Sequence, residues 1–255
     1  MNTTELTCFN KYDIRGEIGF NIDEDISYRI GRAVAQNFNA KCVVIGYDGR
    51  ETSPAFAKAA SNGARDAGSD TINIGLAGTE EMYWAVTEFG ACAGVEVTAS
   101  HNPINYNGMK IVKSGSQPLD DIEDFQTIKK IAETKNWRGK GKKGIEIDCA
   151  VEARNSYVAR VISFINISAL KPLKIVVNCG NGAAGPSFDA IADCLTKLGS
   201  PLEFVLVNHT PDPTFPNGIP NPLLQQNRAA TANVVKEVEA DFGVAFDGDF
   251  DRCFF

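Results

Sequence analysis

Apolar and polar positions alternate along the chain between short apolar runs and longer stretches of helical period. KCVVIGYD, from Lys41, reads as a buried strand. Ser53 and Pro54 follow, supplying an N-cap and a first-turn proline for a helix that stops at Gly68. TINIGL predicts the next strand, Thr79 caps a helix through Phe89, and GVEVTAS is a third strand running straight into the polar loop HNPINYNG. A short strand, KIVKS, and an amphipathic helix over 120–135 close this half.

The segment NWRGKGKKGIEID is rich in Gly and Lys with little periodicity and reads as a linker. Beyond it the alternation restarts: a helix over 151–165, strand LKIVVN, a helix over 186–198, strand EFVLVN, a loop rich in Pro and Asn, a helix over 223–240 and strand FGVAF. The pattern predicts an α/β fold of two consecutive similar α/β domains, 1–148 and 149–255, each with a mixed, mostly parallel sheet flanked by helices. GVEVTASHN in the first half and GVAFDGDFD in the second both pass from Gly-Val through a strand into a polar loop. Ligands of open parallel sheets bind at such strand ends, so the two loops are expected to share one site. Phe254 and Phe255 look like the start of a further strand, and the second domain is read as truncated.

Composition narrows the function classes. With 44% hydrophobic and 22% charged residues in 255, the chain is an ordinary globular one, long enough for two modest cores. A net charge of -7 argues against nucleic acid and against an acidic membrane surface as partners. The first dozen residues lack the apolar core of a signal peptide and no apolar run approaches a bilayer span, so a cytoplasmic location is expected. Seven cysteines without a C-x-x-C pair, and two histidines, indicate neither a disulfide framework nor a zinc site.

Candidate chemistry sits at the two strand ends. Asp247, Asp249 and Asp251 alternate in D-G-D-F-D. Carboxylates this close repel one another and have raised pKa values unless a cation holds them together, and hard oxygen ligands suit Mg²⁺ or Ca²⁺. An EF-hand loop needs glycine at its sixth position, where this sequence has Arg252, which leaves a compact strand-end site best suited to Mg²⁺. A solvated acidic turn is the plainer alternative. Ser100, in T-A-S-H-N-P, is projected from a tight turn; it lacks the G-x-S-x-G context of a hydrolase, and read from its loop alone it is an ordinary turn serine. Phosphorylated, it would carry about -1.5 to -2 charges and complement a metal-carboxylate cluster.

T-A-S-H-N-P-x-x-Y-N-G-M-K, followed about 150 residues later by D-G-D-x-D-R, resembles the α-D-phosphohexomutase family, with D-G-D-F-D-R-C-F most similar to its bacterial phosphomannomutase branch. Y-D-I-R-G at 12–16, Y-D-G-R at 47–50 and FPNGIPNP at 215–222 extend the resemblance over the whole chain. The resemblance implies a phosphoserine at Ser100 and Mg²⁺ held by Asp247, Asp249, Asp251 and a phosphoserine oxygen. Arg15, Lys110 and Arg252 match active-site positions that stabilise phosphate or assist proton transfer, as His101 does. Taken singly, each of these cations is a turn, strand-end or ion-pair residue; the shared motif context is what gives them a role. The implied reaction interconverts mannose 1-phosphate and mannose 6-phosphate through a hexose bisphosphate, which also serves as activator. Phosphoglucomutase, phosphoglucosamine mutase and a catalytically incompetent fragment are the alternatives. Lys110 or His101 is expected to accept the sugar hydroxyl proton, Lys110 with its pKa lowered by Arg15 and Arg252. Because the resemblance assigns sugar reading and phosphate clamping to two further domains, this chain alone is expected to turn over little substrate.

A rival motif is G-x-G-x-x-G at Gly180, Gly182 and Gly185, between strand LKIVVN and a helix. The next strand, EFVLVN, ends at Asn208 and His209 without the acid that holds a ribose, so a tight strand-helix turn is favoured over an NAD site.

Overall fold

The computed structural model describes residues 5–11, 13–138 and 142–255. Tyr12, which opens the Y-D-I-R-G match, and positions 139–141 of the expected linker lie outside the described residues. In chain order the elements are β1 (Ile14–Glu17), α1 (Glu24–Asn37), β2 (Cys42–Tyr47), α2 (Ser53–Asp66), β3 (Asp70–Leu76), α3 (Thr79–Glu88), β4 (Ala93–Val97), β5 (Tyr106–Lys113) and β6 (Gln117–Pro118). A single π turn over Asp121–Phe125 then runs into α4 (Gln126–Thr134). There follow β7 (Glu146–Asp148), α5 (Ala150–Ile162), β8 (Leu173–Asn178), α6 (Ala184–Lys197), β9 (Leu202–Val207), α7 (Gln225–Glu237), β10 (Phe242–Phe246) and β11 (Cys253–Phe254).

The first sheet has the order β1-β5-β4-β2-β3-β7, with β6 beside β5. Its β4, β2, β3 and β7 are parallel, while β5 runs antiparallel to β4, β1 and β6. Both faces are covered, which is why CVVIGY reads as a continuous apolar run. Val43 and Ile45 pack with Ile30, Val34, Phe56, Ala60 and Ile128 beneath α1, α2 and α4. Val44 turns the other way, to Ile72, Met82, Ala85 and Val86 beneath α3. Each such side chain contributes about 1.5–3 kcal/mol by leaving water. The α1–α2 crossing is backbone on backbone: a Cβ on Gly31 would lie 2.1 Å from the Ala60 carbonyl oxygen, and one on Gly63 2.0 Å from that of Tyr28.

The second sheet, β11-β10-β8-β9, is parallel except for β11, so the strand expected at Phe254 forms as an antiparallel edge. Ile175, Val177 and Val244 form its smaller core with Phe188, Phe204 and Phe246. Between the sheets, α5 packs on both α3 and α6, with Trp84 donating to the Ser156 hydroxyl at 2.8 Å and Arg154 to Glu81 at 3.0 Å. No helix among the described residues is long and apolar enough to cross a membrane.

Four local expectations change. Ser53 and Thr79 are first helical residues rather than N-caps, those positions falling to Thr52 and Gly78, because their hydroxyls are drawn to buried carboxylates: Ser53 to Asp48 at 2.6 Å, Thr79 to Asp249 at 2.7 Å. The strand expected as KIVKS starts at Tyr106, since Tyr106 to Met109 pair with β1, whose IRGE sequence carries no strand pattern. The end of the expected linker is a strand: Glu146–Asp148 pair with β3, and Glu146 accepts from Ser61 at 2.6 Å and Lys58 at 2.8 Å.

Candidate active site

β4 ends at Val97 and β10 at Phe246, and the loops after them meet. The Ser100 hydroxyl donates to Asp247 Oδ2 at 2.7 Å, a contact between residues 147 apart in the chain. One carboxylate oxygen from each of Asp247, Asp249 and Asp251 lies within 4.8 Å of the others. Asp247 and Asp249 are buried, as is Ser100. Glycine at 248 is what permits this approach, since a Cβ there would stand 2.6 Å from the Ser100 carbonyl oxygen. Of the G-x-G-x-x-G glycines, Gly182 packs under the aspartate loop, where a Cβ would meet the Gly248 carbonyl at 2.7 Å, and Gly185 packs on the loop after β9, where one would meet the His209 carbonyl at 2.0 Å.

Asp249 Oδ2 accepts from the Thr79 hydroxyl and, at 2.6 Å, from the Lys110 ammonium, which also reaches Asp251 Oδ2 at 2.5 Å. Asp249 Oδ1 and Asp251 Oδ1 are buried with no hydrogen-bond partner among the described residues. Unpartnered carboxylate oxygens in a dry site are costly unless a cation takes them, so these residues fit a hard divalent ion. Burial, and then Asp249, pushes the Asp247 carboxyl up to about 7. Burial acts the same way on Asp249, but Lys110 outweighs it and its pKa is lowered. For Lys110, burial favours the neutral amine, yet Asp249 and Asp251 prevail and its pKa is raised. The expected lowering of Lys110 is therefore reversed, because its neighbours are carboxylates. Arg15 is engaged elsewhere, donating to the Thr98 carbonyl at 2.7 Å, and Arg252 donates to His101 Nδ1 at 3.0 Å.

A guanidinium has only donors, so the Nδ1 it meets is an acceptor and His101 is neutral. Burial and Arg252 both lower the His101 pKa. The same Nδ1 lies 3.1 Å from Ser100 Oγ.

Y-D-G-R, a motif with no role assigned from the sequence, turns out to support the serine loop. Arg50, 3% exposed, donates to the carbonyls of Ser100 at 2.9 Å, Asn102 at 2.7 Å, Pro103 at 2.9 Å and Tyr106 at 3.1 Å. Asp48 lies 3.4 Å behind it and accepts from Thr98 Oγ1 at 2.7 Å, and that oxygen accepts from the Ser100 N–H at 2.7 Å. These bonds hold Ser100 at φ +49°, a left-handed conformation that a serine adopts only when its surroundings fix it. From the second half, the Phe215 ring lies 5.8 Å from the Arg50 guanidinium, tying FPNGIPNP to the serine loop. The signal was present: an Asp and an Arg at the carboxyl end of a buried parallel strand, where loops gather.

Residues 7–139 match the family model for the phosphoglucomutase/phosphomannomutase alpha/beta/alpha domain I, and residues 155–255 match that for domain II. The chain belongs to the phosphoglucomutase/phosphomannomutase family. Among curated relatives in that family, a phosphomannomutase of Salmonella typhimurium is 47% identical over 251 residues, covering 98% of this chain and 55% of the relative. One from Vibrio cholerae is 49% identical over 255 residues, with the same two coverages. The chain thus spans about half the length of the curated relatives it matches. A crystal structure of a phosphoglucomutase/phosphomannomutase family protein from Burkholderia thailandensis superposes with a TM-score of 0.82 at 32% identity, over 96% of this chain and 53% of that one.

Within this family fold, Ser100, His101, Lys110, Arg252 and the three aspartates converge on one cluster. Arg15 stands behind it: its side chain is 8% exposed, pairs with Asp13 at 3.4 Å and holds the end of β4 through Thr98.

Proposed function

We propose that this chain carries the phosphoserine and metal centre of a phosphohexomutase that interconverts mannose 1-phosphate and mannose 6-phosphate. The observation that carries the reading is the 2.7 Å contact of Ser100 Oγ with Asp247 beside two unpartnered aspartate oxygens. The phosphomannomutase names of relatives 47–49% identical support the sugar. The division falls after Asp148, giving a serine half, 1–148, completed by β7, and a metal half, 149–255.

Asp247, Asp249 and Asp251 would hold Mg²⁺, whose charge, when bound, lowers the barrier to phosphoryl transfer by neutralising the transferring oxygens. Ser100 Oγ forms its bond to phosphorus as the bond from phosphorus to a sugar oxygen of the hexose bisphosphate breaks. The serine hydroxyl is held by Asp247, and its proton ends on the departing sugar oxygen. In the other half-reaction the phosphorus–Oγ bond breaks as the phosphoryl group passes to the other hydroxyl of the sugar, whose proton returns to Ser100 Oγ. Lys110, bonded to Asp249 and Asp251, acts by charge, as Arg15 and Arg252 do.

The test is discharge of phosphorylated Ser100, in a polypeptide spanning the full length of the curated relatives, by mannose 6-phosphate, glucose 6-phosphate and glucosamine 6-phosphate. Fastest loss of phosphate to the mannose ester is expected. Equal rates would remove the sugar assignment, and no discharge by any of them would remove the mutase assignment.

A further inference from the structure

Thr79 opens α3 with no exposed surface. Its hydroxyl is not needed by the helix, because the Glu81 carboxylate already accepts the Gly78 N–H at 3.0 Å. It donates instead across the molecule to Asp249 Oδ2 at 2.7 Å, while the Thr79 N–H donates to the Asp249 carbonyl at 3.1 Å. Gly78 seats the next residue of the same loop: the Phe250 ring lies 2.3 Å from where a Gly78 Cβ would be. Two residues of the first half therefore grip both the backbone and the side chain of the aspartate loop.

We infer that Thr79 is a positioning residue for the metal centre, fixing Asp249 Oδ2 so that Oδ1 faces the cation. The inference rests on the reading of the three aspartates as metal ligands. With Thr79 and Lys110 both on Oδ2, the oxygen of Asp249 left for a cation is Oδ1, which is buried and has no hydrogen-bond partner among the described residues. Partners that hold the far oxygen of a ligating carboxylate set its direction, and removing one costs 10–100-fold in metal affinity. Lys110 reaches its acceptors through a flexible four-carbon stem, whereas the Thr79 hydroxyl sits on a β-branched, fully buried side chain and sets a direction that the lysine cannot set alone.

The test is calorimetric titration of the whole chain with Mg²⁺ for the unaltered protein, Thr79→Val and Thr79→Ser. Valine keeps the shape and removes the hydroxyl; serine keeps the hydroxyl and removes the methyl. Thr79→Val should weaken Mg²⁺ about tenfold or more, and Thr79→Ser should restore most of that loss. Unchanged affinity in Thr79→Val overturns the inference while leaving the metal centre standing, as does an equal loss in both variants. No binding by the unaltered chain overturns the metal-centre reading and this one with it. If Thr79→Val does not fold by circular dichroism, Thr79→Ala takes its place against Thr79→Ser, with the same outcomes.

Discussion

Asp247 and Asp249 lie two residues apart and are pushed in opposite directions, Asp247 up to about 7 and Asp249 down, because Lys110 bonds to Asp249 and Asp251 and leaves Asp247 with the serine hydroxyl. The raised Asp247 stabilises the cation-free fold below its ordinary pKa of 3.8, and that contribution is lost as pH rises through about 7. Buried Glu96, whose two oxygens have no hydrogen-bond partner among the described residues and whose pKa burial raises well above 4.5, acts in the same sense. Thermal unfolding without Mg²⁺ should therefore show Tm falling across that window, with a shallower fall in Asp247→Asn; equal slopes would contradict the assignment. Mg²⁺ competes with the same proton, so its affinity should rise with pH over this range. Asp249→Asn should weaken Mg²⁺ at least tenfold, and an unchanged affinity by calorimetry would remove Asp249 from the site. The three carboxylates were legible from their alternation, and Ser100 only through the resemblance of its loop to a known family, since alone it reads as a turn serine. The charge state of Lys110 was not, since it depends on carboxylates 139 and 141 residues away that only the fold brings to 2.6 and 2.5 Å.

At the scale of elements, the buried strands could be read from their apolar runs, whereas β1 and β7 could not: IRGE and EID become strands by pairing with β5 and β3, with no pattern of their own. Helix starts were misplaced by a residue where Ser53 and Thr79 serve buried aspartates. Gly31→Ala should force α1 and α2 apart and cost about 3 kcal/mol by denaturant unfolding; a change under ~0.5 kcal/mol would mean the helices adjust freely. Arg50→Lys cannot reach all four carbonyls of the serine loop. Amide exchange should quicken over 99–107 while β2 and β4 keep their protection, and uniform quickening would mean that Arg50 supports the whole sheet.

Across the whole molecule the two sheets meet through a few residues: Ser100 on Asp247, Thr79 and Lys110 on Asp249, Phe215 over Arg50, and α5 between α3 and α6. The repeat of GVEVTASHN and GVAFDGDFD put both loops at equivalent strand ends, but their face-to-face contact depends on glycines at 182 and 248 that a strand pattern does not explain. Ser100, at this junction, is the proposed carrier of the phosphoryl group. Incubating a polypeptide that spans the full length of the curated relatives with a hexose 1,6-bisphosphate and Mg²⁺, then mapping phosphopeptides by mass spectrometry, tests it directly. One phosphoryl group on the peptide containing Ser100, absent in Ser100→Ala and diminished without Mg²⁺, is the predicted result; an unlabelled Ser100, or label that persists in Ser100→Ala, would contradict it.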